Sequence, residues 1–61
     1  MTFGERVKKV RLQLMLSQRD FAKEIGISYQ TIYRWENNKF EPSFEHQRLF
    51  KEFCLKHKID F

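Results

Sequence analysis

The stretch Gln18-Arg19-Asp20-Phe21-Ala22-Lys23-Glu24-Ile25-Gly26-Ile27-Ser28-Tyr29-Gln30-Thr31-Ile32-Tyr33-Arg34-Trp35-Glu36 decides the fold. It reads as two short helices and a tight turn. Phe21, Ala22 and Ile25 make one apolar face on the first. Gly26 ends that helix, because glycine takes a left-handed backbone at no steric cost. Ser28 suits the N-cap of the second, where its side-chain oxygen accepts from a free backbone N–H. That second helix divides its residues. Ile32 and Trp35 fall on one side; Tyr29, Gln30, Tyr33 and Arg34 fall on the other, at i, i+1, i+4 and i+5.

The spacing is that of a helix-turn-helix over residues 18–37. The polar stripe offers amide, phenol and guanidinium groups, which match the base edges of a DNA major groove. Gln pairs bidentately with adenine and Arg with guanine, so Gln30 and Arg34 are expected to read bases. Tyr29 and Tyr33 are expected to contact either a base or a phosphate. Ser28, Asn37 and Lys39 flank the stripe and suit phosphate contacts, which position without specifying; Lys39 also fits a simply solvated cation.

Outward from this motif, the periodicity predicts two more helices. The first begins with Thr2 as N-cap and Glu5 three residues on, a capping box. Its apolar face is Phe3, Val7, Val10 and Leu14, with Arg11 on the flank. The helix containing Phe21 starts after Ser17, and the one containing Trp35 runs from Tyr29 to about Asn37. A loop over 37–42 follows, in which Asn38 can take positive φ. Ser43 caps the last helix, with Leu49, Phe50, Phe53 and Cys54 as its inner stripe and fraying expected near His57. The class is therefore all-α, one domain over residues 1–61.

The chain has 61 residues and a net charge of +4. Residues 1–39 hold eight Lys/Arg against four acids, whereas 40–61 hold four of each. All the excess positive charge thus lies with the helix-turn-helix, which favours a polyanion. A mixed, solvated surface explains the total charge equally well. One cysteine makes no internal disulfide, no apolar run nears membrane-spanning length, and Glu5 and Arg6 leave no signal-peptide core. The expected location is cytoplasmic, with the nucleoid. Enzyme chemistry is not expected: there is no nucleophile–base–orienter set and no Gly-rich phosphate loop. Nor is a cofactor or a metal. Cys54 and His57 share a helix and His46 precedes them, but a structural zinc site needs a fourth ligand.

Residues 4–43 resemble the Cro/repressor-type helix-turn-helix domains, the XRE family. The matching residues are Gly4-Glu5-Arg6, Leu16-Ser17-Gln18, Phe21-Ala22, Gly26-Ile27-Ser28, Thr31-Ile32, Trp35-Glu36-Asn37, Lys39 and Pro42-Ser43. The resemblance implies a sequence-specific double-stranded DNA-binding regulator of repressor type. It implies that Gln18 bonds a phosphate and that Arg11 and Glu36 form a structural ion pair. Two departures stand out. Met15 occupies a position where the family often has Gly, a strained choice for a left-handed backbone. The family's fifth helix would lie beyond Ile59-Asp60-Phe61, so a truncated bundle of four helices is expected, from a small regulator or a domain of a longer protein.

Phe40, Phe44 and Phe61 exceed the needs of a four-helix core. They fit core closure or an exposed self-association patch. With Phe44, Phe53, Ile59 and Phe61 as the candidate surface, two copies are expected to pair weakly on a palindromic site. A second function class remains: a protein-interaction module, antitoxin-like, that uses its C-terminal aromatics.

Overall fold

The computed structural model describes residues 1–38 and 41–59. Among these, four helices follow one another: α1 (Phe3–Gln13), α2 (Gln18–Ile25), α3 (Tyr29–Glu36) and α4 (Phe44–Lys56), with no strand. None is long and apolar enough to cross a membrane.

Each helix starts on a hydroxyl cap. Thr2, Ser17, Ser28 and Ser43 accept from the backbone N–H groups of Glu5, Asp20, Thr31 and His46. Thr2 and Glu5 complete the capping box, the Thr2 N–H donating to Glu5 Oε1 at 2.8 Å. Such caps satisfy N–H groups that a helix start leaves unpaired.

Each helix is also followed by a left-handed residue: Met15 (φ 57°), Gly26 (φ 86°), Asn38 (φ 55°) and Lys58 (φ 56°). The sequence marks Gly26 and Asn38 for this role but gives no sign of Lys58. After three of them the next N–H returns to a carbonyl five residues back: Leu16 to Arg11, Ile27 to Ala22 and Ile59 to Cys54. Leu16, Ile27 and Ile59 then pack against the core. This is the Schellman arrangement, in which an apolar residue just past the turn folds back onto the helix. Burial of Leu16 and Ile59 offsets the cost of left-handed Met and Lys, about 1–2 kcal/mol per residue.

The core unites Val7, Val10, Phe21, Ala22, Ile25, Ile32, Trp35, Phe50, Phe53 and Cys54. α3 is its centre, packing on both α1 and α2, while α2 also meets α4. Aromatic edges lock the layers. Phe3 stands edge-on to Trp35 and to Phe50, with centroids 5.0 and 5.2 Å apart, and Phe21 meets Phe53 the same way. Gly4 lets α1 lie directly on the end of α3, since a Cβ there would collide with the Trp35 carbonyl oxygen.

Several expectations need correction or delimiting. Phe53 is buried and cannot join a surface patch. Phe44 is exposed, but it stands at the opposite end of α4 from Ile59, about 20 Å away by helical rise. Phe44, Phe53 and Ile59 therefore do not form one surface. Lys39, Phe40 and Phe61 lie outside the described residues. His46 is used in packing: its ring meets Trp35 at 5.4 Å. Cys54 is a core residue, and burial pushes its thiol pKa up.

Candidate nucleic-acid interface

Burial of Ile32 and Trp35 fixes how α3 is rotated. With those two turned into the core, Gln30, Tyr33 and Arg34 face outward and are exposed. Tyr29 differs from the expected outer stripe. It is half-buried and packs against the core, and its ring lies 6.4 Å from that of Tyr33.

Arg19, which the sequence pattern left among the general cations, reaches the same region. Its guanidinium sits 4.6 Å from the Tyr29 ring centroid. A cation over an aromatic face is held electrostatically by the ring quadrupole. The stack joins the start of α2 to the start of α3, within a shallow depression that Arg11, Ser17 and Gln18 also line. A cation one position after Gln18, ten residues before an aromatic and across the turn, was the only signal, and it was too weak to single out.

The polar groups flanking α3 have internal work. Ser28 Oγ accepts from the Thr31 N–H and lies 2.8 Å from Thr31 Oγ1. Asn37 Nδ2 donates to the Tyr33 carbonyl at 2.8 Å. Each keeps further hydrogen-bonding capacity and lies near the surface.

Gln18 is held from below. Arg11 and Glu36 meet in a fork: Nε to Oε2 at 2.7 Å and Nη2 to Oε1 at 3.0 Å. Arg11 Nη1 also donates to the Leu16 carbonyl, tying the α1–α2 turn to the end of α3. The pair keeps the Arg11 pKa above its ordinary value, chiefly through the hydrogen bond to Glu36. Gln18 Nε2 then donates to Glu36 Oε1 at 3.1 Å. An amide nitrogen has two protons. Glu36 takes one, which sets the side-chain orientation and leaves the other for an outer acceptor. Arg11 neutralises the carboxylate, so an anion approaching Gln18 meets no net negative charge from Glu36.

The arrangement is a polar, partly cationic helix face on a rigid core, bordered by an oriented amide at the start of α2. A family model described as helix-turn-helix matches residues 7–46 of the 61, a span that takes in all of these side chains. The chain belongs to the Cro/repressor-type helix-turn-helix family, the XRE family. No curated protein and no solved structure matches it. As an XRE-family domain it is a DNA-binding regulator, and α3 is the second helix of its helix-turn-helix. The XRE match includes Arg11, Gln18 and Glu36 as well as α3, so the brace and the face it supports lie within one matched span of the chain.

Proposed function

We propose that this protein is a sequence-specific repressor that reads double-stranded DNA in the major groove with α3. The observation that carries the reading is the division of α3: Ile32 and Trp35 buried, Gln30, Tyr33 and Arg34 exposed. Gln30 and Arg34 read base edges through bidentate hydrogen bonds. Tyr33 contacts a base or a neighbouring phosphate. Tyr29 works from a half-buried position at the edge of the face. Gln18 donates its second amide proton to a phosphate, and Ser28, Asn37 and Lys39 add backbone contacts that set register.

Two copies occupy a palindromic operator in this reading, with recognition helices one DNA turn, about 34 Å, apart. Pairing depends on DNA rather than on a preformed interface; in support, among the described candidates for self-association Phe53 is buried and Phe44 and Ile59 stand at opposite ends of α4. DNA raises the local concentration of the second copy, so a weak contact suffices. The protein acts in the cytoplasm, on the nucleoid.

Selection of genomic duplexes by the purified protein, followed by binding isotherms across salt, tests the proposal. Specific affinity should fall linearly with log salt, and selected duplexes should outcompete random ones. Equal affinity for every duplex at all salt concentrations would refute sequence-specific regulation.

A further inference from the structure

Away from the α3 stripe, the described residues form an apolar feature that DNA reading leaves unused. A groove of about 460 Å³ runs between the start of α1 and α4. Its floor is Phe3 and Phe50, and Phe44 forms one wall while remaining 77% exposed. Arg6, Arg48 and Lys51 stand around it. No carboxylate lines it among the described residues, although Glu45 and Glu52 lie on the same helix.

We propose that this groove docks an acidic amphipathic segment of a partner protein, inserting one large apolar side chain against Phe3, Phe44 and Phe50. Charge complementarity selects the occupant. An apolar floor binds an apolar anchor, and Arg48 and Lys51 beside it favour carboxylates flanking that anchor. A second copy of this chain is a poorer occupant. In a two-fold contact the same patch faces itself, so the cations Arg48 and Lys51 would oppose their own copies. An aromatic held 77% exposed at a groove edge is also costly to leave in water, and contact with an apolar anchor relieves that cost. The proposal is independent of the DNA reading, because none of the α3 stripe lines the groove.

The test uses the full chain and a short fluorescein-labelled amphipathic peptide, with glutamates flanking a leucine and phenylalanine stripe. One control peptide carries lysines in place of the glutamates, and another carries alanines in place of the stripe. Anisotropy measures affinity, and amide NMR shifts locate the peptide. The acidic peptide should bind and shift resonances of α1 and α4 around Phe3 and Phe50; neither control should bind comparably. Phe44→Ala, and separately Arg48→Glu with Lys51→Glu, should each raise Kd about tenfold or more while helicity and duplex affinity stay unchanged. Equal binding of the lysine peptide, shifts centred on Gln30 and Tyr33, or an unchanged Kd for Phe44→Ala would overturn the proposal. So would a loss of duplex affinity in the charge-reversed variant with peptide affinity intact, which would make the cations a phosphate surface.

Discussion

Glu36 binds Arg11 through both carboxylate oxygens and at the same time accepts from Gln18, so one carboxylate at the end of α3 ties together the ends of three helices. The side chains are 12% and 5% exposed for Arg11 and Glu36. Breaking a buried pair strands the surviving charge, which costs about 3–5 kcal/mol. Total stability for a domain of this length is of order 3–9 kcal/mol. Glu36→Gln should therefore cost about 3 kcal/mol, at the low end because Arg11 keeps some water contact. In chemical denaturation the double change with Arg11→Met should cost less than the two singles added together. Additive losses would show that the side chains are not coupled.

Gly4→Ala tests the contact between α1 and α3. The added methyl meets the Trp35 carbonyl oxygen, which is backbone and cannot swing aside. Overpacking of this kind costs about 1–3 kcal/mol. Calorimetry should find a clearly lowered Tm, although alanine is the better helix former. A raised Tm would show that the helices separate freely at this point.

Met15→Gly should stabilise the fold. Met15 holds φ 57° and is 90% exposed, so its removal loses no packing and relieves backbone strain. Glycine adds freedom to the unfolded chain, which reduces the gain to about 0.5–1 kcal/mol. Urea midpoints of the two proteins decide the matter. A gain of this size also provides a sturdier background in which to measure the Glu36 variants.

Arg34→Ala and Gln30→Ala should each weaken binding to the selected duplex by about 1–3 kcal/mol and leave random-sequence binding nearly intact. Lys39→Ala should weaken all sequences alike. Competition titrations separate the cases. If Arg34→Ala lowers specific and random affinity equally, Arg34 is a phosphate contact.

The capping box predicts a pH dependence. The Thr2 N–H and hydroxyl hold the Glu5 carboxyl pKa below its ordinary 4.5, the backbone N–H contributing most. A carboxyl depressed on folding stabilises the fold above its unfolded pKa, and that contribution disappears as pH falls through the folded value. The Tm difference between the native protein and Glu5→Gln should therefore be largest near neutrality and shrink below pH 4.5. Unchanged separation under acid conditions would show that the carboxylate is not the capping group.

Much of this architecture is written in local sequence. The four hydroxyl caps, the Thr2–Glu5 box and Gly26 act within a few residues of their own position, so their spacing is enough to place helix starts and the central turn. The outward turning of Gln30, Tyr33 and Arg34 follows from Ile32 and Trp35 at helical spacing. Tyr29 sits at the boundary of that stripe, and periodicity does not say which side of a boundary packs. The core decided it, together with Arg19 stacking from another helix.

Residue pattern alone determined an all-α helix-turn-helix with a basic N-terminal two-thirds, because amphipathic periodicity and capping are short-range properties of the chain. Only the tertiary structure decided that Lys58 turns left-handed and that Met15, at a position where the family often has Gly, does so too, since the energy that holds them there comes from Leu16 and Ile59 packing against distant residues. It also decided between the two places the sequence offered Phe53, the inner stripe of α4 and a surface patch, in favour of the stripe, and it left Phe44 on the surface. Both are phenylalanines on α4, and nothing intrinsic to the residue separates them. Phe21 stands across from one, and open space and three cations surround the other.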